Sequence, residues 1–166
     1  MFQDLGSSPA TLDAARTADA YGCFPDHDVE IADAVQAYIQ ARLKGAACWV
    51  CLPEEARPAH WKGKYRKPVV RLIRALYGHP DSGTMWEKHC DEAVRAAGFD
   101  PIGSEWPSVY FNRKTRHLLV IYVDDFKLAG PKDSMKAAWA SLRVKLDIEP
   151  ELPLGLYLGC TCEKGE

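Results

Sequence analysis

Leu118-Leu119-Val120-Ile121-Tyr122-Val123-Asp124-Asp125-Phe126-Lys127-Leu128-Ala129 sets two adjacent carboxylates between two apolar runs. β-Branched and aromatic residues flank the acids, which predicts a strand, a tight turn and a returning strand with Asp124 and Asp125 at the tip. Neighbouring like charges repel, and their burial is costly unless a cation compensates. Hard carboxylate oxygens suit Mg²⁺. For an arbitrary Asp-Asp pair the commoner case is a solvated hairpin turn carrying two acids. A third acid from elsewhere in the chain has to decide between the two.

The surrounding composition sets limits. The chain has 166 residues, 47% hydrophobic and 27% charged, with a net charge of −2. That suffices for one domain, residues 1–166, with a substantial core. No apolar run approaches a membrane span, and Met1-Phe2-Gln3-Asp4-Leu5 carries neither a basic nor an apolar leader pattern, so the expectation is an intracellular protein that is not secreted. Six cysteines are too few for a disulfide scaffold at this length and fit a reducing compartment. The charge is unevenly spread: between Ala56 and Pro80 stand seven Lys or Arg and no acid, interleaved with Trp61, Tyr65 and Tyr77. Such a stretch can contact phosphates and stack on bases, or be a solvated cationic loop.

Periodicity predicts a helix over about Ala10–Tyr21, introduced by Ser7-Ser8-Pro9, and another over Thr84–Ala97 stopped by Gly98. A third spans Lys132–Leu146, with Met135, Trp139, Leu142 and Leu146 on one face. Short strands are expected at Trp49–Leu52, Val69–Leu72 and Val109–Phe111, and a strand or turn at Leu156–Gly159. Ile31–Leu43 is ambiguous between a strand and a following helix. Helices and hairpins without regular alternation indicate an α+β domain, an antiparallel sheet backed by helices.

The third acid is Asp33, in Asp33-Ala34-Val35-Gln36-Ala37-Tyr38-Ile39-Gln40-Ala41. Asp33, with Ala37 and Tyr38 at +4 and +5 and Tyr122-Val123-Asp124-Asp125 later, resembles the first and third catalytic motifs of reverse transcriptases. The closer resemblance is to copia-type retrotransposon enzymes. Leu76-Tyr77-Gly78 with Trp86 eight residues on, Gly98-Phe99, Trp106-Pro107-Ser108-Val109-Tyr110, Val123–Gly130 and Leu156-Tyr157-Leu158-Gly159 stand in the family's order. The blocks cover roughly residues 10–160. A competing register puts the first acid at Asp28, where Asp28-Val29 reproduces the family's Asp-Val. It leaves Asp33 where the family has an aromatic, so Asp33 is preferred.

The resemblance implies a reverse-transcriptase-like palm with partial fingers and an RNA-directed DNA polymerase using two Mg²⁺ ions held by Asp33, Asp124 and Asp125. It implies an RNA template, a DNA primer and a deoxynucleoside triphosphate as partners, within a larger retroelement polyprotein, and no membrane. Tyr38 would lie under the incoming sugar. Asp81 falls where the family has Gln, beside the nucleotide pocket, and an acid there repels a triphosphate unless screened. Tyr157, Leu158 and Gly159 correspond to the primer grip. Lys62, Lys64, Arg66, Lys67 and Arg71 are candidate nucleic-acid contacts. Trp86 is expected to pack its helix against the palm, and Lys127 is left open between nucleic acid and solvent.

Other chemistry has less support. Cys48-x-x-Cys51 is a single pair on a predicted strand, which points its thiols to opposite faces, and Cys160-x-Cys162 does not complete a zinc site. His27 and His89 have no nucleophile partner in sequence, and Gly78–Gly83 lacks the ending of a phosphate loop. The upstream fingers, thumb and RNase H regions of such enzymes are not in this stretch. The expectation is a domain truncated at both ends, and the alternative function is a non-catalytic retroelement remnant with weak nucleic-acid binding.

Overall fold

In the computed structural model, which describes residues 8–162, the chain runs α1 (Leu12–Gly22), β1 (His27–Asp33), the single-turn α2 (Ala37–Gln40), β2 (Trp49–Cys51), β3 (Val69–Arg71) and α3 (Ser82–Ala96). It continues through β4 (Asp100–Pro101), β5 (Val109–Asn112), β6 (His117–Tyr122), β7 (Asp125–Pro131), α4 (Lys132–Leu142), β8 (Leu152–Pro153), β9 (Leu156–Tyr157) and β10 (Cys160–Thr161). The leader reading of Met1–Leu5 and the residue Ser7 lie outside the described residues. The chain is an α+β fold, with four helices among the described residues and a six-stranded sheet of order β4-β5-β6-β7-β1-β8 whose pairings are all antiparallel. Two ribbons, β2-β3 and β9-β10, stand outside this sheet.

Strand alternation sorts the side chains into two faces. Ala32, Leu119, Ile121, Phe126 and Leu128 point to one face and pack on α3 and α4 through Trp86, Cys90, Ala93, Val94, Met135, Trp139 and Leu142. The indole of Trp139, fully buried, donates from Nε1 to Glu30 Oε2 at 2.7 Å, which satisfies the polar edge of the core's largest ring. Val29, Leu118, Val120 and Ala129 point to the other face, where α1 lays Ala14 and Ala18 on them. Small residues let α1 approach closely: a Cβ on Gly22 would meet Val29 Cγ2 at 2.0 Å. The helix starts at the Thr11 cap, whose side chain accepts from the Ala14 N–H.

Two elements differ from the periodicity reading. The ambiguous Ile31–Leu43 resolves as the end of β1, a left-handed Gln36 (φ 49°), one turn of helix and an extended exit. The helix expected over Lys132–Leu146 ends at Leu142. Arg143 turns its guanidinium to the Ile148 and Glu149 carbonyls and the Glu151 carboxylate, drawing the chain back toward the sheet, while Leu146 stays buried in a following turn.

Gly130 in β7 lies against β6, where a Cβ would meet His117 Cδ2 at 2.6 Å and the Arg116 carbonyl oxygen at 2.8 Å. Backbone cannot yield as a flexible side chain can. Gly130→Ala is expected to lower stability by about 2 kcal/mol or more, read as a reduced urea midpoint with unchanged m-value. An unchanged midpoint would show that the β6–β7 contact is loose.

Candidate active site

β1 and β7 pair over seven residues, and at the last rung Asp33 stands directly opposite Asp125, while Tyr122 faces Asp125 from β6. Directly paired residues share a face, so Tyr122, Asp125 and Asp33 form one row across three strands. The hairpin turn comprises Val123 and Asp124, which makes Asp125 the first residue of β7 and not part of the tip. That position gives Asp125 a fixed strand partner. Burial, the charges of Asp33 and Asp124, and a hydrogen bond to Asp33 together push its carboxyl up to about 6. Asp28, the competing first acid, pairs with Gly130 near the opposite end of β1, roughly 17 Å away at the usual strand rise.

The tip is held from behind. Val123 has φ 58°, a left-handed conformation that a β-branched residue seldom adopts. Its carbonyl accepts the Trp86 Nε1–H at 2.7 Å, and the Asp124 carbonyl accepts the Ala34 N–H at 2.8 Å. Both peptide oxygens of the turn are thereby tied, one to α3 and one to the segment after Asp33. Strain of about 1–3 kcal/mol persists only where surroundings over-determine a conformation in this way. Trp86, 3% exposed, packs as expected.

Lys127, two residues along β7 on the carboxylate face, faces neither solvent nor an open groove. It is 1% exposed, its Nζ lies 2.7 Å from Asp19 Oδ1 of α1, and it sits 4.1 Å from the centre of the Tyr157 ring. The Tyr157 hydroxyl is buried and has no hydrogen-bond partner among the described residues. Burial, then the charges of Asp125, Asp19 and Asp33, raise its ionisation well above the usual phenol range. Tyr157 therefore lies beside the carboxylates, and Leu158 (φ 49°) and Gly159 (φ 75°) make the two-residue turn between β9 and β10. Strand alternation from Asp125 is the signal that could have placed Lys127 on this face, which sequence reading leaves open between nucleic acid and solvent; nothing in the sequence pointed to Asp19.

The remaining candidates surround this row or stand apart from it. Tyr38 is half-buried, its ring 4.5 Å from that of Tyr77, and it borders a small cavity of about 30 Å³ shared with Val123 and Trp86. Burial and then the Asp124 charge raise the Tyr77 phenol, so Tyr77 belongs to the site's surroundings, whereas sequence reading has it as a motif aromatic and one of the rings interleaved with the basic stretch. Asp81 is the exposed N-cap of α3, and its carboxylate makes no capping hydrogen bond. Lys62, Lys64, Arg66, Lys67 and Arg71 are all exposed, on the loop into β3 and on β3 itself, outside the main sheet. Cys48 just before β2 and Cys51 at its end are free thiols, as are Cys160 at the start of β10 and Cys162 just after it. His89 lies on α3, and His27 begins β1 in ring contact with Tyr21 and Phe24.

Among the described residues no group of three or more His, Cys, Asp or Glu forms a preformed metal cage. The donor set still fits Mg²⁺, which is commonly held through one or two carboxylates with water and substrate oxygens completing the shell. Asp33 and Asp125 supply that converging pair, and Asp124 adds a third negative charge beside them. Among the described residues no helix is long and apolar enough to cross a membrane. The chain matches no protein-family model, no curated protein and no solved structure.

Asp125 holds its proton more tightly folded than unfolded, where the ordinary value is 3.8. Its contribution is therefore favourable below about pH 4 and is lost as pH rises through about 6. Without divalent cation, Asp125→Asn is expected to raise the urea midpoint over the native chain at about pH 7.5, with the gain closing near pH 4. A difference independent of pH would remove the Asp33–Asp125 coupling.

Proposed function

We propose that this chain is the fingers-palm region of a copia-type reverse transcriptase, an RNA-directed DNA polymerase. The observation that carries the reading is the rung of β1 and β7 that sets Asp33 opposite Asp125 with Asp124 in the adjoining turn. Those three acids belong to the two motifs on which the resemblance rests, and they come from segments about ninety residues apart in sequence. An antiparallel sheet with α3 and α4 on one face accords with a palm.

In this reading Asp33, Asp124 and Asp125 hold two Mg²⁺ ions. Held there, such ions would supply activation of the primer 3′-hydroxyl and charge neutralisation of the triphosphate and leaving pyrophosphate. Asp125 and Asp33 resist carrying two charges without a cation, so the pair favours metal once both are ionised. The Trp86 and Ala34 hydrogen bonds hold the turn, and with it Asp124, at a fixed height above the sheet. Tyr38, backed by Tyr77, supports the incoming sugar, and the Tyr157–Gly159 turn positions the primer end. Asp81 is a departure that the triphosphate must be screened from. RNA template, DNA primer and deoxynucleoside triphosphate are the proposed partners, with the rest of a retroelement polyprotein.

One observation favours the second reading, a non-catalytic remnant that binds nucleic acid weakly. α1 lies on the same sheet face as the carboxylates, tied down by Asp19 to Lys127 two rungs from Asp125. A primer end has to approach that face.

Primer extension on an RNA template with Mg²⁺ separates the two. The native chain is expected to extend, and Asp124→Asn to lose roughly a hundredfold or more, since even outer-shell partners of metal ligands cost ten- to a hundredfold. No extension by the native chain, or equal extension by both, removes the enzyme reading. Independently of activity, millimolar Mg²⁺ is expected to raise the urea midpoint of the native chain near pH 7.5 and to leave the Asp33→Asn/Asp125→Asn variant unmoved.

A further inference from the structure

The segment leaving α2 and the segment after β3 meet at an antiparallel bridge between Arg42 and Arg74. The Leu43 N–H donates to the Ile73 carbonyl and the Ala75 N–H to the Ala41 carbonyl, so the two arginines form a rung that exchanges no hydrogen bonds between its own residues. That is the type of rung whose side chains stand closest. Like charges directly opposite one another destabilise a ladder. Neither guanidinium has an acidic partner among the described residues; the Arg74 Nη1 donates to the Gln40 carbonyl at 2.5 Å.

Lys44 and, from α3, Lys88 and His89 join the two arginines around a cleft of about 280 Å³, with Glu92 as its one acid. Four permanent cations converge there against a single carboxylate. Burial and the Arg74 charge hold the His89 imidazole below its ordinary range against the opposing pull of Glu92, so it enters as a neutral hydrogen-bonding group. Arg74 is the last cation of the basic stretch between Ala56 and Pro80, but it stands after β3 and apart from the loop before it; Arg42, Lys44 and Lys88 lie outside that stretch, and no motif of the sequence marked them.

We infer that this cleft binds the backbone phosphates of a nucleic-acid strand, with Arg42 and Arg74 as the central pair and Lys44 and Lys88 flanking them. The assignment rests on the polymerase reading for the identity of the polymer. Three residues beyond Arg74, the exposed Tyr77 stands against Tyr38 and within the electrostatic reach of Asp124, so a strand leaving the cleft meets an aromatic face before it reaches the carboxylates. Guanidinium groups suit phosphate oxygens through paired donors, and exposed aromatic rings accept bases without regard to sequence. A phosphate between the two arginines also relieves their mutual repulsion. The lining of the cleft includes none of Asp33, Asp124 and Asp125, which distinguishes its anion from the triphosphate proposed for the carboxylate row.

Fluorescence anisotropy of the full chain with a labelled single-stranded twelve-nucleotide RNA, titrated at KCl from about 50 to 200 mM, tests the assignment. The native chain is expected to bind with a linear log–log salt dependence. Arg42→Gln/Arg74→Gln is expected to weaken binding about tenfold or more and to flatten the slope by about 1.4, the contribution of two phosphates on a single strand. Lys88→Gln, a change on the outer surface of α3, is expected to flatten it by about 0.7. The double variant removes a repulsion, so its urea midpoint is expected to equal or exceed that of the native chain.

No binding by the native chain, or an unchanged slope in both variants, overturns the assignment. So does arginine-dependent binding of inorganic triphosphate with no change in the RNA slope, which marks a nucleotide site instead. Arginine-dependent RNA binding without any primer extension upholds the cleft and removes the polymerase reading alone. Extension with an unchanged slope does the reverse.

Discussion

The β1–β7 ladder is the constraint on which the rest depends. Its seven rungs set Asp33 against Asp125 and Glu30 against Leu128, and the face of every residue in both strands follows from that pairing. A slip of one residue would exchange the faces, sending Asp33 toward the α3–α4 core and Ala32 toward α1. Contacts beyond the ladder hold it in register. The Ala34 N–H reaches the Asp124 carbonyl, the Glu149 N–H reaches the Asp33 carbonyl, and Trp139 holds Glu30. Gly130 supplies the room β6 needs at the far end.

Electrostatics divides the carboxylate face into two zones. Where α1 covers it, the buried Lys127 ammonium is matched by Asp19 and rests on the Tyr157 ring. Two rungs further, Asp33, Asp124 and Asp125 concentrate negative charge with no Lys or Arg bonded to them among the described residues. The proton that Asp125 retains toward neutral pH and the raised ionisation of Tyr157 both follow from burial first and from this negative charge second. A buried ion pair such as Lys127–Asp19 contributes little over an apolar equivalent, yet losing one partner is costly. The pair therefore locks α1 in position more than it stabilises the domain. The cationic cleft on the α2–α3 side is the opposite case, with positive charge in excess and none of the three acids in its lining.

Much of the fold was legible because its signals are local. The hairpin around the Asp pair, the helix ended by Gly98 and the short strands at Trp49 and Val69 follow from alternation, helical spacing and turn residues, and each stands within a few residues of its expected place. The early end of α4 was not legible, since Leu146 keeps the helical spacing and remains buried while the backbone already turns under the pull on Arg143. The candidate site was legible in its acids, and the resemblance, which expects an aromatic five residues after the first acid, favoured Asp33 over Asp28. Asp125 was expected at the tip and lies one residue into the strand, a matter of turn length that two adjacent acids do not reveal.

The sequence by itself determined which residues can be strand, helix and turn, and which acids are candidates for one site. Those properties reside in nearest neighbours and short periods. Only the tertiary structure decided that Lys127 is sealed beneath α1, that the Val123 and Asp124 carbonyls are tied from two directions, and that Arg42 faces Arg74. Each joins segments separated by about thirty to a hundred residues, and no local pattern encodes such a meeting. It arises when the sheet closes its register and the helices settle on its two faces.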